Sequence, residues 1–174
     1  DHSMKNISFS PPDITSAEIN EVVETLRSGW ITTGPRTKEL ERIVAERCHT
    51  PKAVCLNSNT ACAEMTLRLL GVGPEDEVIV PAYTYTATAS VAAHVGAKIV
   101  MIDCGPGKFT MDYDGLESAV TEKTKVIIPV DLFGIPADYE RIFEITEKKR
   151  ALFAPSDNAV QQAIGRAIVM GDAA

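Results

Sequence analysis

Apolar positions in the first fifty residues recur at helical spacing. A capping box at Thr15 and Glu18 opens a periodic apolar pattern that stops at Gly29, and this predicts one helix. A second helix is predicted from about Pro35 to Arg47. The residues of this second helix that are expected to face inward are Leu40, Ile43 and Val44.

From Ala53 onward the pattern changes to short apolar runs separated by stretches of helical length. Continuous Val/Ile runs of this kind are typical of strands buried on both faces. The predicted strands are Ala53–Leu56, Glu77–Val80, Lys98–Ile102, Lys125–Val130 and Ala167–Met170. The predicted helices between them are Thr60–Leu70, Thr84–Val95, Tyr113–Val120 and Asp138–Lys149. Strand and helix alternate, which predicts an α/β protein with a mostly parallel sheet.

The segment Leu152–Gly165 adds an element before the last strand. A helix start at Pro155–Asp157, followed by apolar residues on one side, predicts a short extra helix there. We find no internal repeat and no linker long enough to separate two domains. The expected organisation is an N-terminal arm, residues 1–14, followed by one domain, residues 15–174.

Charge excludes a general nucleic-acid binder. The chain of 174 residues carries a formal net charge of −7 and has a pI near 5.0, whereas binding to nucleic acid needs basic clusters that neutralise phosphates. The densest basic run, Lys148 to Arg150, is interpreted as the solvated C-terminal end of a helix.

Cysteine spacing and hydropathy favour a soluble, cytoplasmic protein. No CxxC spacing and no zinc-ligand grouping with histidine occurs among the cysteines, which are Cys48, Cys55, Cys62 and Cys104. There is no signal-peptide pattern, and no apolar run approaches the roughly 20 residues needed to span a bilayer. We therefore expect reduced thiols, no metal site and no membrane partner.

Three turns follow predicted strands, at the sheet edge where α/β proteins bind ligands. The turn at Asn57–Ala61 opens a helix, so its small polar residues can cap the helix or its N–H groups can hold a phosphate. In Pro81–Thr88, Tyr83 and Tyr85 are either packing residues or a flat face for a heteroaromatic ring, while the hydroxyls cap the next helix. Asp172 is either a helix cap or a partner for a protonated ring nitrogen.

The order and spacing of these turns resemble one enzyme family. Three further motifs match it: Gly29–Pro35, Gly73–Pro81 and Pro129–Gly134. From about Ile7 to Ala174 the sequence is similar to the DegT/DnrJ family of sugar aminotransferases, which depend on pyridoxal 5'-phosphate (PLP). The resemblance implies the N-terminal part of the large domain of a PLP-dependent transferase of fold type I, a three-layer α/β/α structure that is truncated here.

The resemblance also implies the cofactor site. In that family the residues matching Ser58, Asn59, Thr60 and Ala61 bind the PLP phosphate, chiefly through the N–H groups at the positions of Thr60 and Ala61. The family usually has glycine where Asn59 stands, and asparagine is among the residues that tolerate left-handed backbone geometry. The aromatic residue matching Tyr85 stacks on the pyridine ring.

The carboxylate matching Asp172 pairs with the ring nitrogen of the cofactor and is the expected catalytic residue. The family motif often has an acidic residue where Gly171 stands. An alignment made too early would choose Asp157, but Asp172 is preferred because it ends an apolar strand. Trp30, Thr32 and Thr33 match a segment near the substrate end of the site, although simple packing of Trp30 is an equal alternative.

The resemblance implies a Schiff-base lysine beyond the Asp-Ala-Ala motif, and the chain ends at Ala174. The lysines present are expected to be solvated, for example Lys98, Lys108, Lys123 and Lys125. The chain is therefore expected to be an incomplete portion of the enzyme that is inactive alone. Its exposed apolar surface predicts a homodimer or a larger assembly.

The leading hypothesis is an aminotransferase that moves an amino group from an amino acid donor to a nucleotide-linked keto sugar. A dehydratase of the same family, with histidine at the lysine position, remains an alternative. A non-catalytic phosphate-binding α/β fragment is a second alternative. A plain structural fragment without ligand affinity is a third.

Overall fold

A computed structural model of the chain describes residue 8 and residues 10–173. The described residues up to Cys55 form one compact unit, and those from Leu56 onward form a second. Most of the predicted N-terminal arm, and the first residue of the family resemblance, Ile7, lie outside the described residues. The arm at 1–14 and the single domain at 15–174 stay predictions.

The first unit contains two helices, α1 (Ser16–Arg27) and α2 (Pro35–Arg47). The predicted capping box is present at the start of α1, and α2 begins with proline at its first position. The prediction that Leu40, Ile43 and Val44 face inward was wrong, because all three are exposed. Two helices alone offer too little apolar partner surface to bury such a face.

The second unit is a parallel sheet with helices between its strands. The helices are α3 (Asn59–Leu69), α4 (Ala87–His94), α5 (Tyr113–Ala119), α6 (Tyr139–Lys148) and α7 (Ala159–Ile164), with a 3-10 turn at Arg150–Leu152. The strands are β1 (Glu77–Pro81), β2 (Lys98–Ile102), β3 (Thr124–Ile127) and β4 (Ile168–Val169). They pair in parallel in the order β2-β1-β3-β4. The predicted α/β class is confirmed.

Alternating side chains of the central strands serve two separate cores. Val78 and Val80 of β1 pack with α3 and α4, whereas Ile79 between them packs with α5 and α6. All three side chains are fully buried. This alternation produces the three layers, and truncating one such side chain to alanine typically costs about 2–5 kcal/mol.

Burial on both faces holds for the central strands only. Every residue of β1 and β3 is buried, whereas four of the five residues of the edge strand β2 are partly or fully exposed. The buried central strands therefore hold the carboxyl edge of the sheet in place. This positions the turns that follow the strands.

Three element predictions need correction. Ala53–Leu56 is not a strand: it pairs with no strand among the described residues, and the N–H of Cys55 donates to the Glu41 carboxylate at 3.0 Å. An extended segment without a ladder partner does not form a sheet. Helix α4 begins at Ala87 rather than Thr84. Helix α7 begins at Ala159, because Asn158 and not Pro155–Asp157 caps it.

The prediction of a solvated Lys125 was also wrong. Its ammonium group is buried at the start of β3, where it donates to the carbonyl of Ala154 and lies 3.7 Å from Asp76. The ring of Phe153 lies 5.4 Å from the same nitrogen. Carbonyl, carboxylate and aromatic contacts together replace the lost hydration. Lys125 therefore belongs to the amino-terminal edge of the sheet.

Candidate cofactor site

The start of helix α3 presents free backbone donors. Ser58 caps the helix in extended geometry, and its hydroxyl accepts the N–H of Ala61 at 3.1 Å. The N–H groups of Asn59 and Thr60 donate to no acceptor among the described residues. Free N–H groups and the positive end of the helix dipole suit an anion.

Asn59 needs no left-handed backbone, contrary to the expectation from the sequence. It is the first residue of α3, and it is not among the described non-glycine residues with positive φ, which are Ser10, His49 and Phe133. The reason for an asparagine at this position is therefore not its tolerance of unusual φ. What Asn59 adds is a side-chain amide that donates a hydrogen bond to Asp172.

Asp172 is fixed at the carboxyl edge of the sheet by its own backbone. Its N–H donates to the carbonyl of Pro129 at 2.9 Å, and its carbonyl accepts the N–H of Asp131 at 2.8 Å. Parallel pairing thus continues past the last regular residues of β3 and β4. The main chain at Asp172 is held on both sides, which leaves the carboxylate as the adjustable part.

Neutral donors from two helices hold the Asp172 carboxylate. The amide Nδ2 of Asn59 donates to Oδ1 at 2.8 Å, and the hydroxyl of Thr88 donates to Oδ2 at 3.3 Å. Thr84 and Thr88 share a hydrogen bond of 3.1 Å. Since the single proton of Thr88 goes to the carboxylate, Thr84 must be the donor in that bond.

Asn59, Thr88 and Asp172 line one cleft. It has a volume of about 120 Å³ and lies between the start of α3, the first turns of α4 and the segment Met170–Asp172. Pockets that enclose a whole small ligand usually measure about 300–1,000 Å³. A cleft of this size can enclose only one part of a small ligand.

Asp131 and Tyr139 form a hydrogen-bonded pair next to the segment Gly171–Asp172. The hydroxyl of Tyr139 donates to the carboxylate of Asp131, with both oxygens at 3.2 Å, and that carboxylate also accepts the N–H of Ala137 at 2.9 Å. Burial, and secondly the charge of Asp131, raises the pKa of Tyr139 to about 12. The phenol is therefore a proton donor at neutral pH.

Tyr139 also explains why glycine stands at position 171. A Cβ atom added to Gly171 would lie 2.6 Å from the Tyr139 hydroxyl oxygen, far inside van der Waals contact. Any side chain at position 171 would therefore require the tyrosine to move. Sequence reasoning missed Asp131 and Tyr139 as partners of the site, since their pairing joins residues from a loop and a helix.

Thr88 was missed as well, although its sequence carries a signal. We expected the hydroxyls of this segment to cap a helix, but Thr86, the N-cap of α4, makes no side-chain cap hydrogen bond. Thr84 and Thr88 are four residues apart, a spacing that can bring two hydroxyls together across a helix start. That spacing was the available clue.

Tyr85 lies at the carboxyl end of β1 but outside the cleft. Its side chain is 80% exposed and lines no wall shared with Asp172. The alternative of a partly buried packing residue does not hold for Tyr85 either. Tyr83 does pack: its ring lies 5.5 Å from that of Phe109, which in turn lies 5.3 Å from Phe133.

Trp30, Thr32 and Thr33 lie in the first unit. The indole N–H of Trp30 donates to the carbonyl of Thr33 at 3.0 Å, and the ring contacts Gly34 so closely that a Cβ there would clash. Trp30 is nevertheless 57% exposed. The three residues line one open groove of that unit.

Other candidate chemistry falls outside this cleft. Asp157, the alternative ring partner, is exposed in the loop before α7 and lines no part of it. Among the described residues no group of His, Cys, Asp and Glu could hold a metal ion, and no lysine lines the cleft. No helix in residues 10–173 is long and apolar enough to cross a bilayer.

The parallel sheet, with free N–H groups at a helix start and a carboxylate at its carboxyl edge, defines the class. The second unit has the α/β/α fold of the PLP-dependent transferases of fold type I, as its similarity to solved members shows. Residues 12–168 match the model of the DegT/DnrJ/EryC1/StrS aminotransferase family. The chain belongs to that family.

Individual relatives agree with this assignment. A Streptococcus pneumoniae protein assigned as a sugar aminotransferase, solved in PLP form, is 62% identical with a TM-score of 0.93, covering 98% of this chain and 43% of that one. An aminotransferase from Psychrobacter cryohalolentis is 30% identical with a TM-score of 0.75, covering 81% and 36%. The Shewanella sediminis UDP-4-amino-4-deoxy-L-arabinose–oxoglutarate aminotransferase is 39% identical over 79% of this chain and 35% of its own length. The chain thus spans less than half of each relative.

Proposed function

We propose that this chain is the cofactor-binding part of a PLP-dependent aminotransferase that acts on a nucleotide-linked keto sugar. One observation carries the proposal: the Asp172 carboxylate and the free N–H groups at the start of α3 face one cleft, joined by the 2.8 Å hydrogen bond from Asn59. A ligand with a phosphate at one end and a protonated ring nitrogen at the other fits this arrangement of charges.

The phosphate is assigned to the turn Ser58–Ala61. The unpartnered N–H groups of Asn59 and Thr60 are the primary donors, and the helix dipole of α3 adds a favourable field. The N–H of Ala61 is occupied by the Ser58 hydroxyl, so it reaches a phosphate only if that bond opens. This refines the sequence expectation, in which Thr60 and Ala61 were the chief donors.

Asp172 is assigned to the ring nitrogen as the catalytic carboxylate. Bound PLP supplies an electron sink that stabilises negative charge on the substrate carbon when its ring nitrogen carries a proton. A carboxylate held by a neutral amide and a neutral hydroxyl keeps its full charge for that proton. Asp172 thus holds the proton at the ring nitrogen.

Two assignments depend on further groups. Tyr85 is proposed to stack on the cofactor ring, which requires its exposed side chain to turn towards the cleft. Trp30, Thr32 and Thr33 are proposed to contact substrate. With no lysine of the described residues in the cleft, this chain is proposed to bind the cofactor without a Schiff base and to complete no transamination alone.

The proposal extends to substrate class, assembly and location. The name of the Shewanella relative pairs a UDP-linked amino sugar with oxoglutarate, which favours a nucleotide-linked keto sugar as acceptor and an amino acid such as glutamate as donor. Exposed aromatic side chains at Tyr83, Phe109 and Phe133 support a homodimer or larger homo-oligomer. The four cysteines form no disulfide, in keeping with a reducing cytoplasm.

Calorimetric titration with pyridoxamine 5'-phosphate tests the proposal, because this amine form of the cofactor binds without a Schiff base. We expect it to bind at least about tenfold tighter than inorganic phosphate or pyridoxamine alone, since both ends of the ligand are recognised. Asp172→Ala should weaken the pyridoxamine phosphate complex and leave phosphate binding unchanged. Equal affinity for phosphate and the cofactor would indicate a simple phosphate-binding module, and no binding would indicate an inert fragment.

A further inference from the structure

The carboxylate of Asp172 is oriented by one partner on each of its oxygens. Asn59 donates to Oδ1 from the first residue of α3, and Thr88 donates to Oδ2 from the buried side of α4. An aspartate side chain has two rotatable bonds, so two donors from different helices restrict both the position and the plane of the carboxylate.

The two donors are unequal. The Asn59 bond is 2.8 Å long, a normal length for an amide donating to a charged oxygen, whereas the Thr88 bond is 3.3 Å long. Each carboxylate oxygen has two lone pairs, so one donor on each still leaves acceptor sites towards the cleft. Asn59 is therefore the stronger of the two constraints, and it occupies only one acceptor site of Oδ1.

Asn59 links the two ends of the cleft through one residue. Its backbone N–H is free at the helix start, and its side chain contacts Asp172, 113 positions further along the chain. A glycine or alanine at position 59 would provide the N–H but no contact to Asp172.

We propose that Asn59 is a positioning residue that sets the Asp172 carboxylate for a ring nitrogen at a fixed distance from the phosphate site. This inference rests on the proposed function. It makes the turn at Asn59 a determinant of nitrogen recognition as well as of phosphate binding. It also explains why this turn carries a side chain that can donate.

The test is a double-mutant cycle on affinity for pyridoxamine 5'-phosphate in the full chain. Asn59→Ala should weaken binding roughly 3- to 10-fold, the equivalent of one hydrogen bond of ordinary net strength. In an Asp172→Ala background the same substitution should change affinity less than about twofold, because the group it positions is gone. Asn59→Gly should reproduce the loss.

A second ligand separates positioning from a structural role. An analogue of pyridoxamine phosphate with C–H in place of the ring nitrogen should bind Asn59→Ala and the unmodified chain equally well. Asn57→Ala is the matched control: Asn57 is exposed in the same turn, makes no side-chain hydrogen bond among the described residues, and should leave both affinities unchanged.

The outcomes distinguish two failures. If Asn59→Ala weakens both ligands alike, or the losses from Asn59 and Asp172 are additive, the positioning role is overturned while the proposed function stands. If the unmodified chain binds pyridoxamine phosphate no better than inorganic phosphate, both are overturned. The positioning role is supported if Asn59→Ala weakens binding only of the nitrogen-containing ligand, and only in chains that retain Asp172.

Discussion

The two edges of the sheet differ in whether their charged side chains have partners of opposite charge. At the amino edge, Glu77 pairs with Lys98 at 2.8 Å and Lys125 lies 3.7 Å from Asp76, so charges of opposite sign neutralise one another. At the carboxyl edge, Asp131 and Asp172 form no ion pair among the described residues and accept only from neutral groups. The uncompensated negative charge at the carboxyl edge is suited to a cationic ligand group. At the amino edge these charged groups already have partners within the chain.

The largest expected effect comes from removing the charge at the carboxyl edge. In the complete enzyme, Asp172→Ala should lower the transamination rate by several orders of magnitude, because nothing would hold the proton on the ring nitrogen. The fold should survive, since the Asp172 backbone bonds do not use the side chain. Steady-state kinetics and circular dichroism together measure this. Near-normal turnover would remove Asp172 from the mechanism.

Adding a methyl group at Gly171, next to Asp172, should lower the stability of the fold. Gly171→Ala brings a methyl group against the Tyr139 hydroxyl and should cost about 1–3 kcal/mol of unfolding free energy. Removing that hydroxyl should relieve the clash, so Gly171→Ala combined with Tyr139→Phe should lose less than the two single changes added together. Urea denaturation of all four chains checks this. Strict additivity would mean that Tyr139 does not determine the residue at 171.

At the amino edge the ion pair predicts a pH effect on stability rather than on binding. Hydrogen bonds from Lys98, and secondly from Thr121, hold the pKa of Glu77 below its usual value. The lowered pKa means that Glu77 contributes stability above its unfolded pKa, near 4.3, and that this contribution is lost as pH falls through the lower folded value.

Glu77→Gln should therefore reduce stability at pH 7 by about 1–2 kcal/mol, discounted because Lys98 is largely exposed. It should also flatten the fall in stability below pH 5. Denaturation at several pH values measures both, and pyridoxamine phosphate affinity is the control, since Glu77 lies away from the cleft. A ligand-binding defect in Glu77→Gln would break the distinction between the two edges.

The smallest effect is expected at the weaker donor to Asp172. Thr88→Val keeps the shape and removes the hydroxyl, so pyridoxamine phosphate affinity should fall only about 2- to 5-fold. Thr88→Ser keeps the donor and should restore most of that affinity. A loss larger than that of Asn59→Ala would reverse the proposed ranking of the two donors.

Local patterns were enough to predict most elements of the fold. The capping box at Thr15 and the continuous apolar run in Glu77–Val80 each determine structure through neighbours in sequence, and both were found where predicted. Ala53–Leu56 was misread because strand formation needs a partner that periodicity does not reveal. Lys125 was misread because its burial depends on Ala154 and Asp76, and both are distant from it in sequence.

The residues of the candidate site also fall into those that the sequence predicted and those that depend on distant contacts. Family resemblance pointed to Ser58–Ala61 and Asp172, and the structure brings Asn59, Thr60 and Asp172 into one cleft. Tyr85 is not in this cleft. The sequence could not predict this, because the position of a residue after a strand does not determine the orientation of an exposed side chain. The contacts from Asn59 and Thr88 to Asp172 span 113 and 84 positions, beyond the reach of local sequence patterns.

The central claim is that the Asp172 carboxylate keeps its negative charge for a protonated ring nitrogen. Nitrogen-15 NMR of bound, ring-labelled pyridoxamine 5'-phosphate measures this directly across a pH titration. An opposite charge in contact raises the pKa of such a nitrogen by about 1–3 units, so the ring should stay protonated to a higher pH in the unmodified chain than in Asp172→Ala. Identical titration curves for the two chains would contradict the account.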